Sequence, residues 1–126
     1  EVDAVDVARA ALRAGAALAA AYRVAGRVRW VAHDLDAGLP TSCRGPYDVV
    51  VCQRFRDPAL YPALAGVLAP GGLLAVTVLS EVGGSAGPFR APAGELRAAF
   101  GAVEGLTVLA ETEGGGEARL VARRTS

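Results

Sequence analysis

The apolar positions of this chain gather into unbroken runs separated by stretches of helical spacing. Residues 47–79 read YDVVVCQRF, then RDPALYPALAGVLAPGG, then LLAVTVL. Val49, Val50 and Val51 form one β-branched run, and Leu73, Leu74, Val76, Val78 and Leu79 form another. Runs without polar alternation are what strands covered on both faces require, so the pattern predicts two strands inside a parallel sheet. Between them Leu60, Leu64, Val67 and Leu68 recur at helical spacing, which makes the crossover a helix and the unit βαβ. Pro70 presets φ for the second position of a turn and Gly71 supplies the positive φ needed at the third, so a sharp reversal is expected at Pro70-Gly71-Gly72.

The flanking sequence extends the pattern. Residues 2–7 are a short apolar segment holding Asp3 and Asp6, followed by a stripe of Ala8, Ala11, Leu12, Gly15, Leu18, Ala19 and Tyr22 that predicts a helix ending at a Gly26 cap. Val28–Ala32 (VRWVA) reads as the next strand, leading into His33-Asp34-Leu35-Asp36 and a polar connection over 37–46. Residues 80–92 contain three glycines and two prolines and read as a loop, long against the usual length of about 4 to 6 residues. A short helix over 93–100 precedes two strands, 106–112 and 117–123, joined by the hairpin-type turn Glu113-Gly114-Gly115-Gly116.

Composition narrows the class. At 126 residues and 52% hydrophobic content the chain is expected to form one domain, residues 1–126. Thirteen acidic and 13 basic residues give a formal net charge of +0, without the basic surplus that holds polyanionic nucleic acid, so no nucleic-acid partner is expected. Every basic residue is Arg, and we read no function from that. Cys43 and Cys52 are nine positions apart, with His33 the one histidine, so no metal-ligand spacing exists and no metal is expected. The thiols fit a reduced, cytoplasmic setting. No apolar run approaches the roughly 18 to 20 residues of a membrane span, so no membrane partner is expected. The chain begins with Glu, inside what reads as a strand, and a further segment is expected upstream.

In open α/β sheets ligands lie beyond the carboxyl ends of the strands. The candidates there are Asp6, Asp34 with Leu35, Cys52 with Gln53, and Ser80. An ionised carboxylate offers only acceptors, so Asp6 suits the paired hydroxyls of a ribose; an acid favoured by a helix start is the competing reading. Asp34 suits an exocyclic amine, with the Leu35 N–H donating to the same ring, and a turn or cap role competes equally. Asp36 is a second claimant to that role, His33 reads as a packed loop histidine, and Cys52 as a small buried hydrophobe. No catalytic residue is assigned.

Four segments carry a family resemblance. VDAVDVARAALRAGAAL resembles the second strand and following helix of class I S-adenosylmethionine-dependent methyltransferases, and VRWVAHDLDAGLP resembles their third strand with its acid–apolar pair. YDVVVCQRF resembles their FDxVxxxxxF strand, LAPGGLLAVTVL resembles LkPGGxLxxx, and the closing strand pair is the family's usual finish. The match spans the chain in order and is closest to the small-molecule, tellurite-resistance-like branch. It implies a Rossmann-like three-layer α/β sandwich, mostly parallel with an antiparallel C-terminal hairpin, and S-adenosylmethionine as cofactor. It implies that Asp6 holds the ribose hydroxyls, that Asp34 and Leu35 hold the adenine, and that Cys52 and Gln53 border the transfer centre.

The resemblance also implies that the family's first strand and glycine-rich loop lie upstream of Glu1, so these 126 residues are expected to bind cofactor poorly by themselves. A sheet lacking that strand would pair its neighbours directly, borrow a strand from a second copy as a homo-oligomer, or stay partly disordered. The family's DPPY-type tetrad is absent after the YDVVVCQ strand, which favours a small-molecule acceptor over a DNA base. A nicotinamide-dependent oxidoreductase and a non-catalytic Rossmann-like domain are the alternatives, and the PGG turn and closing hairpin favour the methyltransferase.

Overall fold

The computed structural model describes residues 1–125. The chain clusters into two compact units, one running from Glu1 to Arg44 and the other from Gly45 onward.

In the first unit, β1 (Val2–Asp6) and β2 (Val28–Ala32) pair in parallel from Val2↔Val28 to Asp6↔Ala32, joined by α1 (Arg9–Ala21). The crossover is close-packed at one point. A Cβ on Gly15 would come within 2.6 Å of the Trp30 ring, so α1 approaches β2 as nearly as it does because that residue has no side chain. Arg29 Nε donates to Asp3 Oδ1 at 2.8 Å, and its Nη2 donates to the Ser42 carbonyl at 2.6 Å, tying the segment after β2 back to the pair.

Two expectations fail in this unit. Of the predicted apolar stripe only Ala19 is buried, while Leu18 and Tyr22 are 60% and 73% exposed, because α1 meets its strands through small residues near Gly15. The residue that leaves the helix in the left-handed region is Arg23 (φ 59), and Gly26 sits inside a 3-10 turn, Ala25–Arg27.

The second unit contains β3 (Tyr47–Gln53), a 3-10 turn Pro58–Leu60 running into α2 (Tyr61–Gly66), β4 (Leu68–Leu79), α3 (Glu95–Gly101), β5 (Leu106–Gly114) and β6 (Glu117–Arg124). The sheet order is β3-β4-β6-β5, parallel between β3 and β4 and antiparallel elsewhere. Asp57 starts the helical segment by accepting the Ala59 N–H at 3.0 Å, with Pro58 at the first position, where its missing N–H costs nothing. Tyr61, Leu64, Leu68, Leu74, Val76, Val78, Leu96, Phe100, Leu120 and Ala122 form the core, with the Tyr61 and Phe100 rings 4.9 Å apart.

The two predicted central strands are covered differently from expectation. Along β4, buried Leu74, Val76 and Val78 alternate with half-buried Leu73, Ala75, Thr77 and Leu79, so only one face is fully packed. β3 is an edge strand of its sheet, and Val49 and Val51 are 58% and 60% exposed. A continuous apolar run therefore marks a strand here without marking burial on both sides. Among the described residues β1 pairs with β2 alone, and β3 with β4 alone.

Pro70-Gly71-Gly72 folds tightly back on Ala69, after which the strand resumes its course. Gly71 takes the expected positive φ of 79°, but the segment lies inside β4 as a bulge between the pairs Tyr47↔Leu68 and Val49↔Leu73. Gly72 is needed there, since a Cβ would lie 2.8 Å from the Ala69 oxygen and 2.9 Å from the Tyr47 oxygen. The extra residues on one strand bend it locally and are absorbed without a net change of direction.

Candidate functional site

The carboxyl ends of β1 and β2 lie side by side, since Asp6 pairs with Ala32 and the His33 N–H donates to the Asp6 main-chain oxygen at 3.1 Å. Asp6 and the pair Asp34–Leu35 therefore share one end of this two-stranded sheet. Asp6 Oδ1 accepts the Ala8 N–H at 2.9 Å, while Oδ2 has no hydrogen-bond partner among the described residues. Asp34 caps the 3-10 turn Leu35–Ala37, its Oδ1 accepting the Asp36 N–H at 2.9 Å. Both acids thus do the local work of a turn with one oxygen. Leu35 opens the 3-10 turn, so its N–H has no partner inside it. His33 Nε2 lies 3.0 Å from the Gly38 oxygen, which holds the loop closed.

Cys52 and Gln53 end β3 in the second unit. Cys52 faces the packed side at 8% exposure, 3.8 Å from the Phe55 oxygen, and burial pushes its thiol pKa up. It is a protonated core thiol, without the depressed pKa of a nucleophile. Gln53 is exposed. Ser80, the fourth strand-end candidate, is fully buried; its hydroxyl donates to Glu113 Oε1 at 2.9 Å and accepts the Val82 N–H at 3.0 Å. Its hydroxyl is thereby committed to structural hydrogen bonds.

Arg54 follows Gln53 with φ 57°, a left-handed conformation that costs a residue with a Cβ about 1 to 2 kcal/mol. Its N–H donates to the Thr77 oxygen at 2.8 Å, which fixes the turn, while its side chain is 70% exposed and only 3.5 Å from Glu117. Arg54→Gly is expected to raise the unfolding free energy by about 0.5 to 1 kcal/mol, the strain relieved less the extra freedom glycine gains when unfolded. A shift in the urea midpoint at unchanged slope is the measurement; a lower midpoint would mean that the Arg54 side chain holds the turn itself.

Beyond Arg54 lies a cluster that spacing did not reveal. Arg56 grips Glu95 with two donors, Nε to Oε2 at 2.8 Å and Nη2 to Oε1, and sends Nη1 to the Pro88 oxygen at 3.1 Å. Tyr61 donates its hydroxyl to Glu95 Oε2 at 3.0 Å. The Arg56 and Glu95 side chains are 19% and 14% exposed. The hydrogen bonds from Arg56 hold the Glu95 carboxyl below its ordinary pKa, and burial, with the Glu95 charge added, pushes the Tyr61 hydroxyl up.

No protein-family model and no curated protein matches the sequence. Solved structures do resemble it. TehB from Haemophilus influenzae matches with a TM-score of 0.78 at 14% identity, over 98% of this chain and 50% of that one. The [4+2]-cyclase SpnF gives 0.74 at 16%, over 98% and 66%. The ribosomal protein L11 methylase of Lactobacillus delbrueckii subsp. bulgaricus gives 0.71 at 15%, over 100% and 58%. The fold is that of the class I methyltransferases.

The chain spans half to two thirds of the length of these methyltransferase-fold structures. One of them, SpnF, carries the name of a cyclase, so the class I methyltransferase fold alone does not select a reaction. In this chain the fold puts Asp6, Asp34 and Leu35 together at one strand end, and Arg56, Tyr61 and Glu95 together beyond another. The sequence signal for the second set was no more than an Arg shortly after a strand, since its partner Glu95 lies 39 residues away.

Among the described residues no group of three or more His, Cys, Asp and Glu could hold a metal ion, and no helix is long and apolar enough to cross a membrane.

Proposed function

We propose that this chain supplies the adenosine-holding and acceptor-side parts of an S-adenosylmethionine-dependent methyltransferase that acts on a small-molecule acceptor as part of a longer protein. The observation that carries the reading is the shared strand end of Asp6 and Asp34–Leu35, in a chain with the class I methyltransferase fold. The chemistry left over there fits a nucleoside. Asp6 Oδ2 is an acceptor for ribose hydroxyls, the Leu35 N–H is a donor for a ring nitrogen, and the second Asp34 oxygen is an acceptor for an exocyclic amine.

S-adenosylmethionine, when bound, supplies a methyl group on a sulfonium that departs without needing a proton. The task left to the protein is holding and orienting, a role in which a dedicated base is optional. Cys52, protonated and in the core, is unsuited to act as a base, and Gln53 beside it offers an exposed amide. The neutral net charge favours a small acceptor over nucleic acid. A cytoplasmic setting agrees with two buried, unbridged cysteines.

Thermal-shift measurements on the full-length protein test the reading. S-adenosylmethionine and S-adenosylhomocysteine are expected to raise the melting temperature and NAD and NADP to leave it unchanged, because a ligand that binds only the folded state stabilises it. Stabilisation by the nicotinamides alone would make the protein an oxidoreductase. In the same protein Asp6→Ala is expected to weaken S-adenosylhomocysteine binding by about 1 to 3 kcal/mol, the scale of hydrogen bonds to a charged acceptor. Unchanged affinity would take the ribose role away from Asp6.

A further inference from the structure

The loop over residues 80–92 is fastened unevenly. Its two ends are stitched to each other, to the end of β4 and to the β5–β6 turn through the main chain: Ser80 N–H to the Gly116 oxygen at 2.8 Å, Gly116 N–H to the Val82 oxygen at 2.9 Å, Glu81 N–H to the Ala91 oxygen at 2.9 Å and Ala91 N–H to the Leu79 oxygen at 2.8 Å. Arg90 adds Nη1 to the Ser80 oxygen at 2.9 Å. The middle, residues 85–89, lacks such bonds. Among the described residues its hydrogen bonds are the local turn from the Arg90 N–H to the Gly87 oxygen and the single contact from outside the loop, Arg56 Nη1 to the Pro88 oxygen.

That contact is reached through a chain of fixed groups. Tyr61, buried against Phe100, orients the Glu95 carboxylate, and Glu95 takes two N–H groups of the Arg56 guanidinium in a planar fork. With the plane of the guanidinium set, Nη1 points at Pro88. A rigid fork can do this, and an ammonium on a flexible stem cannot. The residue after Pro88 is Phe89, 78% exposed, lying between the pinned Pro88 and the anchored Arg90.

We propose that Arg56 and Glu95 are positioning residues, which lock the 85–89 turn and thereby hold the exposed Phe89 ring in one place. The lock stands on its own contacts and does not depend on the proposed function. The loop is then a fixed element of the second unit, with an apolar ring set into it.

Backbone ¹⁵N relaxation on the full chain without ligand tests the lock. In the native protein the order parameters of Ala86, Gly87 and Phe89 are expected near 0.8, close to the value of about 0.85 for rigid backbone. In Arg56→Lys and in Glu95→Gln they are expected to fall below about 0.6, while amides of β4 and β6 keep their native values. A purely stabilising ion pair would not produce that local split. Order parameters below about 0.6 in the native protein, or unchanged in Arg56→Lys, would overturn the inference, as would a uniform loss across the sheet. Arg56→Lys keeps the charge, so it remains decisive if Glu95→Gln does not fold. No ligand enters these measurements, so a failure of S-adenosylhomocysteine to bind would sink the functional reading and leave the lock standing.

Discussion

Glu95→Ala is expected to lower the unfolding free energy by about 3 kcal/mol, the low end of the range for removing one partner of a buried ion pair, because both side chains retain some exposure. The substitution takes away two acceptors from Arg56 and one from Tyr61, leaving a guanidinium and a phenol hydroxyl with their strongest partner gone. Urea unfolding followed by far-UV circular dichroism is the measurement. Fluorescence is less suitable, since the one tryptophan, Trp30, lies in the first unit. A loss under about 0.5 kcal/mol would class the pair with ordinary surface ion pairs.

The pH dependence gives an independent check. Glu95 has its carboxyl pKa lowered in the folded state, so the unfolded chain binds the proton first as pH falls. Its stabilisation is complete above the ordinary carboxylate value of about 4.3 and disappears as pH drops through the lower folded value. Removing the carboxylate therefore flattens the acid limb of the stability curve. An unchanged acid limb in Glu95→Ala would show that other carboxylates control it.

Phe100→Ala is expected to cost about 3 to 5 kcal/mol. Phe100 has no exposed surface, packs against Tyr61 at 4.9 Å between ring centres, and belongs to α3, which lies on the sheet through Leu96 and Phe100. Truncation loses the transfer free energy of the ring and leaves a cavity bordered by fixed groups: Tyr61 is tethered by its hydroxyl and β4 by its ladder. The site cannot collapse cheaply, which places the expected cost in the upper part of the range for such truncations. The same urea experiment decides it, and a loss below about 2 kcal/mol would mean that α3 settles into the space.

What the sequence made legible was local and periodic. Val28–Ala32 was found at its true bounds because Val28, Trp30 and Val31 are strand formers set between Gly26 and the polar residues 33–36. The parallel pairing of β1 with β2 and of β3 with β4 followed from strands separated by helical spacing, and the closing hairpin followed from three consecutive glycines. Burial was less legible. Val49 and Val51 look like core residues in the sequence, but exposure depends on which strand lies at the edge, and no window of residues contains that information. Pro70-Gly71-Gly72 carries a turn's composition and one of its dihedral signs, yet pairing on both sides of it keeps the strand running.

The acids at the strand ends were found by position, and the structure adds that each uses one oxygen for its own turn. The cluster of Arg56, Tyr61 and Glu95 was out of reach. Its members come from a loop, a helix start and another helix start, and charge pairing over that separation leaves no periodic trace.

The rim of β3 also has a practical consequence for anyone handling the protein. A sheet margin with two bare valines, no lysine or proline in β3, and Asp48 as its one charged residue is open to edge-to-edge sticking. The usual safeguard, mutual repulsion between molecules, is missing near neutrality, where the isoelectric point of about 6.9 falls. Dilute stocks, buffered well away from that value, follow directly from how this strand is left at the border of its sheet.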